Sequence, residues 1–272
     1  MTAPTPPAPT AAERPVALVT GAARRIGRSI ALHLAAHGWD VVLHHRHSVA
    51  DAETTAAEAR AAGARAWRLA ADLADEAACA GLVPAAVATA GRLDAVVNNA
   101  SLFEYDSPSD FSVANLDRHT HANTAPAVLL ARALHAHLAG RGARGCVVNL
   151  LDQKLANPNP DYFSYTLSKA ALAEATVMLA QALAPVLRVC GVSPGVTLLS
   201  GPMVEAEFAL AHGLTPLQRS STPDDIAHAV RFLLESPAIT GHNLLVDGGQ
   251  HLLGQPRDVL FLAQQQLAAS KD

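Results

Sequence analysis

Six short apolar runs recur along the chain at Val16–Val19, Val41–Leu43, Ala95–Val97, Cys146–Leu150, Val189–Val192 and Leu244–Val246. A strand with one wet face alternates apolar and polar residues. These runs lack that alternation and read as strands buried on both sides, which a parallel sheet sheathed by helices requires. Arg65–Ala71 reads as a weaker seventh strand, because Arg68 interrupts it. Ala- and Leu-rich stretches at helical spacing lie between the runs, at Arg25–His37, Ser48–Ala62, Glu76–Ala90, Asn123–Leu138 and Tyr162–Leu183. Strand and helix alternate along the whole chain, so right-handed crossovers building one doubly wound parallel sheet are the economical solution. The fold class is α/β, with helices on both faces of the sheet.

The first 13 residues have no periodicity and contain four prolines, and they are expected to form a disordered arm. The domain is expected to span residues 14–255, with 256–272 as a C-terminal tail whose Asp258–Leu262 stretch either contacts another subunit or folds back on its own core. Ser200–Thr222 breaks the rhythm with Gly201-Pro202, Gly213 and Pro216 around two short helical pieces, and it is a candidate substrate lid. Half of the 272 residues are hydrophobic, enough for a sizeable core, and the net charge of -4 speaks against a nucleic-acid partner. No apolar run approaches the roughly 20 residues of a bilayer span, and Met1–Ala12 does not resemble a signal peptide. A cytoplasmic protein without a membrane partner is expected. Cys79, Cys146 and Cys190 are far apart and odd in number, which predicts small core residues and no thiolate metal site. Only three lysines are present, Lys154, Lys169 and Lys271, so each calls for an explanation.

The first apolar run leads into Thr20-Gly-Ala-Ala-Arg-Arg-Ile-Gly27 and then a helix. Small residues such as Gly21 and Gly27 let backbone approach a pyrophosphate, and the helix N-terminus that follows, with Ile26 in its first turn, offers free N–H groups. Arg24 and Arg25 stand where a generic version of this turn has a small residue and a second Gly. Solvated surface arginines would oppose the helix dipole there, which favours a bound anion. The second run ends in Leu43-His-His-Arg-His-Ser48. A site for NAD usually carries an acidic side chain at this place, whereas Arg46, His47 and Ser48 suit a 2'-phosphate, so NADPH is the expected cofactor. A metal site is a minority reading of the histidines, since acidic and Cys partners are missing. Asp72-Leu73 and Asn98-Asn99-Ala100-Ser101 fall on loops at the carboxyl edge, where adenine and ribose would lie, although the asparagines are equally compatible with an ordinary turn.

Tyr165 and Lys169 lie four apart on one helix face. An ammonium close to a phenol lowers its pKa from about 10 towards neutrality and makes it a usable proton donor. An exposed polar pair has the same spacing. Asp152, thirteen positions ahead of Tyr165, ends a buried strand, where it is read either as a proton relay or as the cap of a turn.

T-G-x4-I-G, N-N-A, Y-x3-K and Ser193-Pro-Gly195 occur together and in order, and across Pro15–Gly249 the chain resembles the short-chain dehydrogenases/reductases. The resemblance implies a single Rossmann-type domain. It also implies Tyr165 as proton donor, Lys169 on the nicotinamide ribose, Asn123 as anchor of a water relay, and Pro194, Gly195 and Thr197 against the cofactor. The family's usual Ser, about a dozen residues before the Tyr, is absent, and Asp152 stands near its place. That departure, with T-G-A-A-R-R-I-G, N-N-A-S-x-F and the closing V-D-G-G of Val246–Gly249, resembles pteridine reductases. There, the Arg matching Arg25 contacts the cofactor phosphate and the substrate side, and the Phe matching Phe103 stacks on the pterin ring. The resemblance implies substrate contacts from Arg25, Ser101, Phe103, Asp152 and Tyr165, no metal, and a homotetramer. The expected reaction is NADPH-dependent reduction of a dihydropterin or dihydrofolate C=N bond. A ketone reductase and a catalytically silent NADP-binding sensor are the alternatives.

Overall fold

The computed structural model describes residues 14–199 and 201–269, so the expected arm, Ser200 and the last three residues lie outside the described residues. All seven apolar runs are strands: β1 (Val16–Val19), β2 (Asp40–His45), β3 (Ala66–Ala70), β4 (Ala95–Asn98), β5 (Gly145–Leu150), β6 (Leu187–Pro194) and β7 (Asn243–Val246). They join into one sheet in the order β3-β2-β1-β4-β5-β6-β7. Every pairing is parallel, with Leu18 of β1 in register with Val42 on one side and Val96 on the other. The interruption at Arg68 has a simple cause. β3 is an edge strand with alternating burial, and Arg68 pairs with Glu53 at 2.6 Å on its wet side.

The first four helices are α1 (Arg25–Ala36), α2 (Val49–Ala61), α3 (Glu76–Ala90) and α4 (Val113–His119). A single π turn at Thr120–Thr124 joins α4 to α5 (Ala125–Arg141), and α6 (Phe163–Ala182) follows. The chain then forms α7 (Glu205–Gly213), α8 (Pro223–Glu235) and α9 (Val259–Ala269). Ile30 and Leu34 of α1, Ala56 of α2 and Val230 and Leu233 of α8 pack on one face of the sheet. Leu82 and Val83 of α3 with Leu130, Leu134 and Leu138 of α5 pack on the other. Cys79, Cys146 and Cys190 are buried and unbridged within these layers.

Three helices were not foreseen from hydrophobic period. The clearest overlooked signal precedes α8. Thr222 accepts from the Asp225 amide and Asp225 accepts from the Thr222 amide at 2.8 Å, a reciprocal cap, with Pro223 at the first helical position. Among its described residues the Ser200–Thr222 segment carries one helix, α7, and not two pieces. Past Gly213 the chain turns through Thr215–Gln218, held by the Leu217 amide on the Gly248 carbonyl at 3.1 Å. The stretch expected as a tail carries α9. Its Val259 and Ala263 bury against Ala211 of α7, so it folds back on its own chain.

The start of α6 is set from a distance. Tyr162 precedes the helix at φ 52 and supplies no side-chain cap. Asp106, on the loop after β4, accepts instead from the Ser164 amide at 2.8 Å, from the Ser164 hydroxyl and from Asn115 Nδ2 at 2.8 Å. This ties the helix that bears Tyr165 to the β4 loop. Asp106→Ala leaves those donors unanswered and is expected to lower unfolding stability by about 2 kcal/mol, read as a shifted urea midpoint.

Candidate active site

Sheet order reverses between β1 and β4, and loops from both halves diverge at the carboxyl edge to leave a crevice. Two cavities open there, of about 960 Å³ and about 280 Å³, with Arg25, Ile26, Asn99 and Ser101 lining both. Ligands filling them would meet across those four residues.

The larger cavity is floored by the Gly-rich turn. Gly21 sits at φ +64, and a Cβ on Gly27 would collide with the Gly21 carbonyl and with Asn99 Nδ2. Asn99 holds this turn against β4. Its Nδ2 donates to Thr20 O at 2.9 Å, while the Asn99 and Ala100 amides donate to Thr20 Oγ1 at 2.9 and 3.0 Å. His44 braces the other side, accepting from the Gly21 amide at Nδ1 (3.2 Å), which leaves Nε2 to donate to the Ala71 carbonyl (3.1 Å). Burial lowers the His44 pKa, in keeping with a neutral ring whose two nitrogens are both used by the protein. Among the described residues no three His, Cys, Asp or Glu groups converge on a metal position.

Arg24 donates to Ser48 Oγ at 2.8 Å and pairs with Asp51 at 3.4 Å. Arg24, Arg46, Ser48, Asp72 and Leu73 line this cavity, whereas exposed His47 does not. The neighbouring His45 does line it, and its Nδ1 is buried with no partner. Two guanidiniums, a hydroxyl and a backbone cradle that excludes a methyl group fit a dinucleotide with an extra phosphate. Arg25 adopts φ 56, a conformation that costs a non-glycine residue about 1 kcal/mol, and its Nη2 reaches the Leu199 carbonyl at 2.7 Å. The Gly that a generic turn has here would remove the strain and also a side chain that links this turn to the loop after β6.

In the smaller cavity Tyr165 Oη donates to Asp152 Oδ2 at 2.8 Å. Asp152 Oδ1 accepts from the Lys154 amide at 2.8 Å, so the carboxylate caps the turn after β5 and faces the phenol at once. The two readings of Asp152 are therefore compatible. Lys169 Nζ donates to the Leu150 carbonyl at 2.7 Å and lies 5.7 Å from the Tyr165 ring centre. Burial brings the Lys169 pKa down to about 8. The expected lowering of the Tyr165 pKa is not what the protein shows. Burial and then the adjoining Asp152 carboxylate push the phenol well above its ordinary value. Burial also raises Asp152.

Asn123 lies in the π turn, and its side chain is saturated. Oδ1 accepts from the Leu102 amide (2.7 Å) and Ser101 Oγ (3.1 Å), and Nδ2 donates to the Leu102 carbonyl (3.0 Å) and Ser168 Oγ (2.9 Å). It clamps the loop bearing Ser101 and Phe103 onto α6. Phe103 lines the cavity with its ring stacked on Tyr162 (4.2 Å between centres, 13° between planes) and edge-on to Tyr165 at 4.7 Å. Pro194, Gly195 and Thr197 line the same cavity, and a Cβ on Gly195 would press on Asp247.

Residues of the C-terminal segment went unforeseen as part of this wall. Gln250, Gln255, Asp258 and Val259 all line the cavity. Arg257 grips Asp161 with two 2.8 Å hydrogen bonds, and Lys154, only 4 % exposed, donates to the Asp161 carbonyl at 2.5 Å and pairs with Asp258 at 3.3 Å. The scarcity of lysine is the sequence signal for this cluster, since only three lysines are present and Lys154 is one of them.

The enoyl-(acyl carrier protein) reductase family model matches residues 21–251. Pteridine reductase 1 of Leishmania tarentolae is 35% identical over 280 residues, covering 88% of this chain and 96% of its own. The 3-oxoacyl-[acyl-carrier-protein] reductase FabG of Staphylococcus aureus is 31% identical, covering 87% and 98%. Among solved structures, FolM alternative dihydrofolate reductase 1 from Brucella suis in complex with NADP superposes with a TM-score of 0.85 at 40% identity, covering 92% of this chain and 99% of its own. Gly27→Ala, by filling the cradle, is expected to weaken NADPH binding at least about tenfold in a fluorescence titration. A parallel doubly wound sheet, a phosphate-ready crevice and these relatives lead to one conclusion: the chain is an NADPH-dependent oxidoreductase and belongs to the short-chain dehydrogenase/reductase family.

Proposed function

We propose that the protein reduces a C=N bond of a dihydropterin or a related dihydrofolate, with Asp152, Tyr165 and Lys169 as the chemical groups. The observation that carries this reading is the Tyr165–Asp152 hydrogen bond in the cavity wall. A hydroxyl suffices to steady a carbonyl oxygen that gains charge, whereas reduction at C=N must deliver a proton to nitrogen, and a carboxyl beside the phenol suits that task. The relatives whose names mention pteridine or dihydrofolate support the same choice. A carbonyl substrate is the competing reading, supported by the relative named as a 3-oxoacyl reductase, and Tyr165 and Lys169 alone would serve it.

The phosphate-bearing end of NADPH would occupy the larger cavity, with its nicotinamide reaching past Arg25 and Ser101 to Lys169 and Pro194–Thr197 in the smaller one, and it would supply the hydride for a ring carbon. Tyr165, held neutral by its raised pKa, gives its proton to the adjacent ring nitrogen, so one hydride and one proton convert C=N to CH–NH. Asp152 accepts from the Tyr165 hydroxyl before the transfer, and with its pKa raised by burial it relays a proton from solvent back to the Tyr165 oxygen afterwards. Lys169 supplies a buried positive charge that favours a developing phenolate. Arg24, Arg46 and Ser48 bind the cofactor phosphate, with Arg25 between cofactor and substrate. Phe103 presents an aromatic surface to a flat heterocycle.

NADPH oxidation followed at 340 nm with dihydropterins, dihydrofolate and a ketone panel tests the reading. Turnover of ketones without pterins overturns it. Asp152→Ser is expected to lower kcat/KM for a dihydropterin by about two orders of magnitude, within the range of general-acid effects. An unchanged rate removes Asp152 from the mechanism. Because Lys169 titrates at about 8, its positive form is present below that pH and lost above it. The wild-type kcat/KM is expected to fall above about pH 8, and Lys169→Arg, slower overall, to lose that alkaline limb in a pH–rate profile.

A further inference from the structure

Part of the substrate cavity is not used by the chemistry described above. There the turn Gln153–Ala156 after β5 meets the turn Gln250–Leu252 after β7, and Gln255, Asp258 and Val259 of the segment leading into α9 line the same cavity. Gln250 is 1% exposed, and its Oε1 is buried with no partner. Its Nε2 donates to Gln255 Oε1 at 3.3 Å. Gln153 Oε1 is likewise buried and without a partner, and Gln153 lines the same cavity. Asp258 adds a carboxylate. Each of its oxygens takes one donor, Oδ1 from the Leu260 amide at 3.1 Å and Oδ2 from Lys154 Nζ at 3.3 Å, which leaves a lone pair on each.

We propose that Gln153, Gln250 and Asp258 form a hydrogen-bond-accepting subsite that binds the neutral, hydroxyl- or amino-bearing substituent of the substrate. Unanswered acceptors in a cavity wall call for N–H or O–H donors, since a buried acceptor without one is costly. An anionic substituent does not fit. The Lys154 ammonium is already committed to Asp161 O and Asp258, and Asp258 itself faces the incoming group. The subsite therefore discriminates a polyhydroxylated or amino side chain from a bare alkyl group. Its geometry is secured by the Asp161–Arg257 pair, which anchors the C-terminal segment beside the loop after β5.

The inference rests on the pterin reading of the site, and the test separates the two. Steady-state kinetics are measured with two dihydropterins that differ only in whether the ring substituent is a methyl or a polyhydroxyalkyl group. Wild type is expected to show a KM about fivefold to tenfold lower for the hydroxylated substrate, the value of one or two neutral hydrogen bonds. Gln250→Leu, which keeps the volume and removes the acceptor, is expected to collapse that ratio towards one. Gln153→Leu, at a less buried position, should reduce the ratio as well and serves if Gln250→Leu does not fold. Equal KM values in wild type, or variants that shift both substrates alike, overturn the subsite while leaving the pterin reading intact. Absence of turnover with either pterin overturns the pterin reading, and the subsite with it.

Discussion

A parallel sheet buried on both faces leaves its chemistry one place to go. Every interior position of β1, β2 and β4 is covered by helices, and crossover connections return each strand in the same sense, so all the strands end at one edge. The Gly-rich turn after β1, the Asn99–Ser101 loop after β4, Asp152 after β5 and the Pro194–Thr197 loop after β6 converge there because of that constraint. The larger cavity spans the turns of β1, β2 and β4, the smaller one the loops of β5 and β6, and the reversal between β1 and β4 is where they join.

Electrostatics at that edge is governed by burial more than by any pair of charges. Tyr165, Lys169 and Asp152 are each pushed towards the neutral form by desolvation, and the protein offsets this with specific partners. Lys169 takes the Leu150 carbonyl, and Tyr165 and Asp152 take each other. The consequence is a phenol that keeps its proton, a carboxyl whose pKa is raised, and an ammonium that titrates at about 8. A second ionic group, Lys154 with Asp258 and Asp161 with Arg257, is structural in character. It joins the loop after β5 to the C-terminal segment and makes that segment part of the cavity wall.

Support for the site comes largely from polar side chains that no strand or helix period reveals. Asp106 caps α6 from across the edge, Asn99 staples the Gly-rich turn to β4, and Asn123 fastens the Phe103 loop to α6. Each spans tens of residues in sequence, and each satisfies donors or acceptors that the local backbone leaves open. His44 belongs with them. In the sequence it was one of three histidines beside a phosphate-seeking segment, and in the fold it is a neutral brace between two strands.

The amino-acid sequence by itself determined the sheet, its parallel character and five of the helices between its strands, because continuous apolar runs and helical spacing are local signals. It also placed the Gly-rich turn, Tyr165, Lys169 and Asp152 at loop and helix starts, because strand order along the chain dictates which segments reach the carboxyl edge. Only tertiary structure decided the direction of the Tyr165 shift, since desolvation depends on what covers the phenol and not on its spacing from Lys169. It also decided that His47 lies outside the crevice while Gln250, Gln255 and Asp258 enter the cavity wall. Those choices follow from where α7 and α9 pack and where Asp161 meets Arg257, contacts between residues far apart in the chain that no periodicity encodes.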